Sequence, residues 1–148
     1  MTPCVIDASV LLKLFLAEED SAAVTRIVGA HLQTDDPLLA VPDLVYVECA
    51  NVLWSKVRAG RYAREAAQRA VTHLRALALA TTPTAELLDA ALALACRYDI
   101  TVYDACYVAL AARLAQPLLT ADAKLKSRLP GAPYAIVLVP EFLTTYPA

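Results

Sequence analysis

The stretch Cys4-Val5-Ile6-Asp7 decides the fold, because three apolar residues run directly into an acidic one near the start of the chain. Leu118-Leu119-Thr120-Ala121-Asp122 repeats a similar arrangement much later in the chain. Short apolar runs of this kind are typical of strands that are buried on both faces. We therefore predict two buried strands, each with an aspartate at or just after its carboxyl end.

Outward from these strands, β-like runs alternate with longer segments of helical periodicity. The helical spacing predicts helices over residues 21–32, 43–60, 64–77, 85–97, 101–114 and 123–128. Further strands are predicted over residues 38–41 and 135–139, with a short run at 79–81. Pro42 ends the second strand, Asp43 is predicted to cap the helix that follows, and Pro130-Gly131 is predicted to turn the chain.

Alternating strands and helices favour an α/β domain whose central sheet is mainly parallel. Ligands of such sheets bind outside the carboxyl ends of the strands, which is where Asp7 and Asp122 are predicted to lie. Two further acids are predicted on helices, Glu48 in a helix interior and Asp104 in a first turn. A length of 148 residues, with no repeat or linker, predicts one domain over residues 1–148.

The composition is unusually apolar, at 59 % hydrophobic residues, but charges interrupt every apolar stretch before it could span a bilayer. The N-terminus has no basic segment before an apolar one, so we expect neither a secretory signal nor a membrane anchor. A cytoplasmic protein is the expectation. The apolar surplus suggests that part of the surface serves self-association.

The formal net charge of −2 gives no global basic field, which counts against a plain nucleic-acid-binding module. It counts less against a metal-dependent nuclease, since bound cations offset acidic residues. His31 and His73 are predicted to lie at the surface or in helix packing. No C-x-x-C pair is present, so buried apolar roles are predicted for the four cysteines, Cys4, Cys49, Cys96 and Cys106.

Glu48, Asn51 and Ser55 form a narrow polar stripe on an otherwise apolar helix, at spacings of three and seven residues. Such a stripe fits a solvent-facing edge of a half-buried helix. It fits equally well a carboxylate that acts as a metal ligand or catalytic acid. Both interpretations stay open for Glu48 taken alone.

The other three acids also have structural interpretations. Asp7 and Asp122 could cap helices, and Thr101-x-x-Asp104 resembles a capping box. The set is more informative, because four carboxylates converging on one sheet edge would repel strongly without a divalent cation. Oxygen ligands without His or Cys select Mg²⁺ or Mn²⁺. We therefore predict that the catalytic and metal-binding residues are Asp7, Glu48, Asp104 and Asp122.

Four stretches of this sequence resemble, in order, the acidic motifs of the PIN domain family, and within it the VapC-like toxins of bacterial toxin–antitoxin pairs. The resemblance spans nearly the whole chain, and no acidic position departs from the pattern. The stretches are Val5-Ile6-Asp7-Ala8-Ser9, Tyr46-Val47-Glu48-Cys49-Ala50-Asn51-Val52-Leu53, Tyr103-Asp104-Ala105-Cys106-Tyr107-Val108-Ala109-Leu110-Ala111 and Leu118-Leu119-Thr120-Ala121-Asp122.

The resemblance implies a three-layer α/β/α domain and Mg²⁺- or Mn²⁺-dependent endoribonuclease activity. It also implies a homodimer and a cognate antitoxin that wraps the toxin and blocks its site. Ser9 matches a position where a Ser or Thr often assists the first aspartate in this family. Thr120 is a weaker supporting candidate near the fourth motif, and Asn51 is a supporting candidate from its place in the polar stripe.

An RNA substrate requires positive charge near the site. The richest basic segment is residues 56–64, next to Trp54, and it supplies Lys56, Arg58 and Arg61 as RNA-binding candidates. Lys124 belongs to a second basic turn just after the fourth motif. The alternative for the first segment is a solvated helix end with no ligand.

Two rival functions remain at this stage. A Mg²⁺-dependent phosphatase would usually carry a second aspartate two residues after the first, where this chain has Ser9, and a lysine near the third motif is also absent. A noncatalytic PIN-like protein-interaction module is the other rival, and the intact set of four acids speaks against it. The residues do not distinguish RNA from DNA as substrate; the resemblance favours RNA.

Overall fold

The computed structural model describes residues 1–129, 131 and 133–146, and its centre is a parallel five-stranded sheet. The strands are β1 (Cys4–Ile6), β2 (Leu39–Pro42), β3 (Ala80–Thr82), β4 (Leu118–Thr120) and β5 (Ile136–Leu138). Their order across the sheet is β3-β2-β1-β4-β5. The strands β1, β2 and β4 are buried along their whole length, as expected for a sheet covered on both faces.

Helices flank this sheet and complete the predicted three-layer α/β/α architecture. They are α1 (Ala8–Leu11), α2 (Ser21–His31), α3 (Leu44–Arg58), α4 (Arg64–Ala76), α5 (Leu88–Tyr98), α6 (Val102–Leu114), α7 (Ala123–Arg128) and α8 (Val139–Thr145). Short 3₁₀ turns follow α1 and precede α5, at Leu12–Leu14 and Thr84–Leu87. No helix within the described ranges is long and apolar enough to cross a membrane.

The register of the sheet brings the first and fourth motifs together. In the parallel pair β1–β4, Val5 is opposite Leu118 and Ile6 is opposite Leu119. The residues that follow the two strands, from Asp7 and from Ala121 onward, therefore meet at the same sheet edge. This is the edge at which the sequence predicts a ligand site.

The predicted strands and most predicted helices are confirmed, with two omissions. Helix α1 is not predicted, since it is only one turn long and too short for a periodicity signal. Helix α8 is not predicted either, because the last apolar run favours a strand through residue 139. Pro140 suits the first turn of a helix, and the Glu141 carboxylate accepts a 3.1 Å hydrogen bond from the backbone N–H of Leu138.

The predicted capping role of Asp43 is wrong. Its Oδ1 accepts a 2.8 Å hydrogen bond from the backbone N–H of Thr84 and another from the Thr84 hydroxyl. Because β2 and β3 are parallel neighbours, the residues just beyond their carboxyl ends meet. The Thr84 hydroxyl in turn accepts a 3.1 Å hydrogen bond from the backbone N–H of Leu44, so a distant residue supplies the polar partner at the start of α3.

The cysteine prediction holds for three residues and fails for the fourth. Cys4, Cys49 and Cys106 are buried and unbridged, whereas Cys96 is exposed on the outer side of α5. Helix α5 packs mainly against α6, and its other face is left to solvent whatever residues it carries. The predicted turn at Pro130-Gly131 falls partly outside the described residues, since Pro130 is not among them; Gly131 adopts a φ of +83°.

His31 ties together three segments of the fold. It is 3 % exposed; its Nδ1 accepts hydrogen bonds from the backbone N–H groups of Leu38 (3.0 Å) and Leu39 (3.3 Å). Its Nε2 donates to the carbonyl oxygen of Leu77 at 2.9 Å. These contacts require the neutral tautomer with hydrogen on Nε2. His31 therefore bonds the entry of β2 to the segment before β3, while His73 is exposed as predicted.

We expect His31→Ala to lower the free energy of unfolding by about 3 kcal/mol, since it opens a cavity and leaves buried backbone groups without partners. Urea denaturation of both proteins measures the difference. His73→Ala is the matched control, and as a surface substitution it should change stability by no more than about 0.5 kcal/mol. Equal stability of the His31 variant and the control would contradict this role.

Candidate active site

Asp7 is the most enclosed of the four acids. It follows β1 and is 6 % exposed. Its Oδ1 accepts hydrogen bonds from the Ser9 hydroxyl (2.5 Å) and the backbone N–H of Val10 (3.1 Å), and its Oδ2 accepts one from the Thr120 hydroxyl (2.5 Å). Asp7 therefore caps α1, as its structural interpretation predicted, and these contacts also fix both carboxylate oxygens.

Ser9 and Thr120 join the first motif to the fourth. The Ser9 hydroxyl accepts a 3.0 Å hydrogen bond from the backbone N–H of Ala121, and the Thr120 hydroxyl accepts one of 3.0 Å from the backbone N–H of Asp122. Each hydroxyl thus donates a hydrogen bond to Asp7 and accepts one from a backbone N–H just after β4. Both residues contact Asp7 directly in the positions that the sequence analysis proposed for support.

Glu48 lies half-buried on α3, and its Oε1 accepts a 3.0 Å hydrogen bond from the Tyr107 hydroxyl. Tyr107 is buried on α6, one turn after Asp104. The sequence analysis did not single out Tyr107, because its partner lies far away in the chain. The available signal was its spacing of three residues from Asp104, which puts both on one side of the helix.

Asp104 and Asp122 also have local structural roles. The backbone N–H of Asp104 donates a 3.1 Å hydrogen bond to the Thr101 hydroxyl, which forms one half of the predicted capping box. Asp122 Oδ1 caps α7 by accepting from the backbone N–H groups of Lys124 (2.8 Å) and Leu125 (3.2 Å). Capping uses one carboxylate oxygen of Asp122, and its second oxygen is not involved in the cap.

A cleft of about 630 Å³ is lined by two of these acids, Glu48 and Asp104, whereas Asp7 and Asp122 are not among its lining residues. Its walls combine the acids of two helices with polar and apolar side chains. The lining includes Ser9, Glu48, Asn51, Thr101, Tyr103 and Asp104. Two apolar side chains at its rim, Val47 and Tyr103, are 73 % and 67 % exposed, so the mouth of the cleft carries unusual apolar surface.

The basic candidates lie on the surface near one end of α3 and at the start of α7. Arg58, Arg61 and Lys124 are exposed and Lys56 is half-buried; none is in an ion pair with a residue of the described ranges. Arg58 lies over the ring of Trp54, 5.4 Å from its centroid. The neighbouring cations of α7 differ, because Lys126 pairs with Glu141 and Arg128 pairs with Asp99.

Comparison with known proteins decides the family. Residues 4–128 match the PIN domain. The chain belongs to the PIN domain family. Among its relatives, Ribonuclease VapC3 of Pyrobaculum aerophilum is 37 % identical over 129 residues, which cover 86 % of this chain and 95 % of that protein. Ribonuclease VapC1 of Mycobacterium tuberculosis is 32 % identical over 140 residues, covering 94 % and 99 %.

Solved structures support the fold of this PIN domain. The crystal structure of PAE2754 from Pyrobaculum aerophilum matches with a TM-score of 0.71 at 24 % identity, covering 97 % of this chain and 96 % of that one. A chain of a toxin–antitoxin complex from Klebsiella pneumoniae matches with a TM-score of 0.61 at 18 % identity, covering 92 % and 97 %. At these identities the similarity establishes the shared architecture.

The acids of this PIN domain are electrostatically coupled. Burial raises the pKa of Asp7 from 3.8 to about 6, and the charge of Asp104 adds to the rise against the lowering effect of its hydrogen bonds. Burial raises the pKa of Glu48 from 4.5 to about 7, with further contributions from Asp104 and Asp7. The pKa of Asp104 is raised by burial and by the charge of Asp122. A positive ion in their midst would oppose all of these rises.

The donor set of the site fits a hard divalent cation. Carboxylate, hydroxyl and amide oxygens line the cleft, and neither His nor Cys is among its lining residues. Within the described ranges, no group of three or more His, Cys, Asp or Glu side chains is arranged so that it could hold a metal ion. Mg²⁺ does not need such a group, because it is commonly held by one or two carboxylates and keeps several waters.

The raised pKa of Asp7 predicts how stability depends on pH. Because the folded protein binds this proton more tightly than the unfolded chain, its contribution is present below pH 3.8 and is lost as the pH rises through about 6. In metal-free buffer, Asp7→Asn should match the wild type in unfolding free energy near pH 4. It should be more stable by roughly 2–3 kcal/mol at pH 7.5. Urea titrations at both pH values measure this, and a constant difference would contradict it.

Proposed function

We propose that this PIN domain is an endoribonuclease that depends on Mg²⁺ or Mn²⁺ and acts as the toxin of a toxin–antitoxin pair. The observation that carries the proposal is the buried Asp7, fixed at the sheet edge by Ser9 and Thr120 and electrostatically coupled to Glu48 and Asp104. Two relatives above 30 % identity, matched over nearly their whole length, are named ribonucleases.

The residues proposed to hold the cation are Asp7, Glu48, Asp104 and Asp122. Oδ1 of Asp7 accepts from both Ser9 and the backbone N–H of Val10, whereas Oδ2 accepts only from Thr120 and keeps a lone pair, so the fixed carboxylate can still act as a ligand through Oδ2. When bound, the cation would supply Lewis-acid activation of water and offset the charge that develops on the phosphoryl oxygens.

Residues of this chain would hold the ligating carboxylates in position. Ser9 and Thr120 keep Asp7 in one orientation, which is how surrounding hydrogen bonds improve a ligand site. Glu48 lines the cleft, whereas Asp122 is not among the lining residues and uses one oxygen to cap α7.

Cleavage of RNA against DNA tests the activity directly. Purified protein is incubated with Mg²⁺ and single-stranded RNA or DNA of one sequence, and the product ends are mapped by sequencing. We expect internal cleavage of the RNA and no cleavage of the DNA. Equal cleavage of both would overturn the substrate assignment, and cleavage of neither across several unrelated RNA sequences would favour the noncatalytic interaction module.

We further propose that an antitoxin covers the cleft and that the chain forms a homodimer. Exposed apolar side chains at the mouth of the cleft support a covering partner, namely Val47 and Tyr103. The similarity in fold to a chain of a toxin–antitoxin complex agrees with this. A second exposed apolar pair, Leu88 and Leu92 on α5, offers surface for self-association.

The unpaired cations near the end of α3 predict the effect of charge removal on RNA binding. The double variant Arg58→Ala/Arg61→Ala should raise KM for RNA roughly tenfold at low salt and flatten its salt dependence, with kcat little changed. Steady-state kinetics at two salt concentrations measure both effects. The control is Arg113→Ala, which removes a cation paired with Glu86 at the other end of α6. Equal KM values for the two variants would exclude this RNA-binding surface.

A further inference from the structure

Tyr107 forms a contact that packing alone does not require. It lies in a run of buried residues on α6, Ala105 to Ala111, whose other members are apolar. Tyr107 itself is 2 % exposed, so a phenylalanine would fill the same space. A buried hydroxyl is costly unless it is hydrogen-bonded, and this one donates to Glu48 Oε1 at 3.0 Å.

The contact connects two of the acidic motifs. Helix α6 carries Asp104 into the cleft and, one turn later, sends Tyr107 across to Glu48 on α3. The position of the Glu48 carboxylate therefore depends on the helix that bears Asp104. A glutamate side chain has several rotatable bonds, and a single fixed partner removes much of that freedom.

The hydrogen bond also gives the two Glu48 oxygens different surroundings. Oε1 accepts from the Tyr107 hydroxyl, whereas Oε2 has no hydrogen-bond partner among the described residues. Since Glu48 lines the cleft, this arrangement leaves one oxygen for a ligand. Partners that orient a metal-binding side chain typically change metal affinity 10–100-fold when they are removed.

We propose that Tyr107 is a positioning residue for the divalent cation, acting by holding Glu48 through Oε1 so that Oε2 is available to the ion. This rests on the proposed metal-dependent function. Tyr107 contacts neither the cation nor RNA in this account. Its effect on cleavage runs entirely through Glu48 and should disappear when the metal is saturating.

The test compares Tyr107→Phe with wild type in Mn²⁺ binding, followed by electron paramagnetic resonance, and in the Mn²⁺ dependence of RNA cleavage. We expect the Kd for Mn²⁺ to rise about tenfold. The Mn²⁺ concentration for half-maximal cleavage should rise by a similar factor, while kcat at saturating Mn²⁺ returns to within about twofold of wild type. The matched control is Tyr46→Phe, which also removes a hydroxyl beside α3, 3.2 Å from the Thr81 hydroxyl and outside the cleft. It should leave both quantities unchanged.

A second comparison shows whether Tyr107 acts through Glu48. In a Glu48→Ala background, adding Tyr107→Phe should cause no further loss of Mn²⁺ affinity. A Tyr107→Phe protein with wild-type Mn²⁺ affinity, or an equal further loss in the Glu48→Ala background, overturns the proposal while the nuclease function stands. A wild-type protein that binds no Mn²⁺ would overturn both this proposal and the proposed metal-dependent function. If Tyr107→Phe fails to fold, a crystal structure of the wild type with Mn²⁺ decides the question. We expect one carboxylate oxygen of Glu48 to bind the ion and the other to accept the hydrogen bond from the Tyr107 hydroxyl. A Glu48 side chain turned away from Tyr107 would overturn the proposal.

Discussion

Replacing Asp7 with asparagine is expected to lower RNA cleavage on the order of a thousandfold or more while leaving the fold intact. Asparagine keeps the shape of the side chain and can still accept from Ser9 or Thr120, but it removes the negative charge that would hold a cation. Because the pKa of Asp7 is raised to about 6, its ionised form opposes folding at neutral pH. The variant should therefore be no less stable than the wild type.

The measurement is single-turnover cleavage of a labelled RNA, with circular dichroism and thermal unfolding as checks of the fold. Asp89→Asn is the matched control, since Asp89 is an exposed aspartate in the first turn of α5, away from the cleft. Its activity should equal that of the wild type. Wild-type cleavage by a folded Asp7→Asn protein would show that the chemistry lies elsewhere.

Removing divalent cations is expected to have an effect of similar size. With excess EDTA, cleavage should fall at least about a thousandfold, and added Mg²⁺ or Mn²⁺ should restore it. The physical reason is the electrostatic coupling of Asp7, Glu48 and Asp104, whose pKa values are raised by burial and by neighbouring carboxylates. RNA cleavage measured against free Mg²⁺ concentration gives the dependence.

Thermal unfolding provides the control for this prediction. EDTA should leave the protein folded, and saturating Mn²⁺ should raise Tm, because a ligand that binds the native state stabilises it. In the Asp7→Asn variant the rise in Tm should be much smaller. Undiminished cleavage in EDTA would contradict the role assigned to the acids, even if RNA remained the substrate.

The sheet could be predicted from sequence because its strands are short apolar runs followed by residues that end a strand or begin a helix. β1 ends at Asp7, β2 ends at Pro42, and β4 is followed by Asp122. Helix α1 escaped prediction because one turn has no periodicity. Asp43 was misassigned because its partner, Thr84, is adjacent only after β2 and β3 pair.

In the site as well, features with a local sequence signal could be predicted, whereas contacts between distant segments could not. Strand ends and helix starts are local signals, so Asp7, Asp104 and Asp122 could be placed from sequence. The contacts of Ser9 and Thr120 with Asp7 form only after β1 and β4 pair, so these residues are candidates through the resemblance to a family and not through a local signal. Tyr107 has no local signal for its bond to Glu48, since the phenol resembles any other buried aromatic in an apolar helix.

Structural and functional interpretations of an acid turned out to be compatible. Asp7 caps α1 and Asp122 caps α7, as their structural interpretations predicted. Capping occupies one oxygen or one lone pair, so a carboxylate at a helix start can also face a ligand. A capping role for one of the four acids is therefore no argument against its role as a metal ligand.

A crystal structure of the wild type soaked with Mn²⁺ and recorded with anomalous scattering would show whether the four acids bind a metal ion. We expect an anomalous peak bound by Asp7 and by at least one of Glu48, Asp104 and Asp122. A protein that cleaves RNA yet shows no Mn²⁺ at these acids under saturating conditions would contradict this expectation.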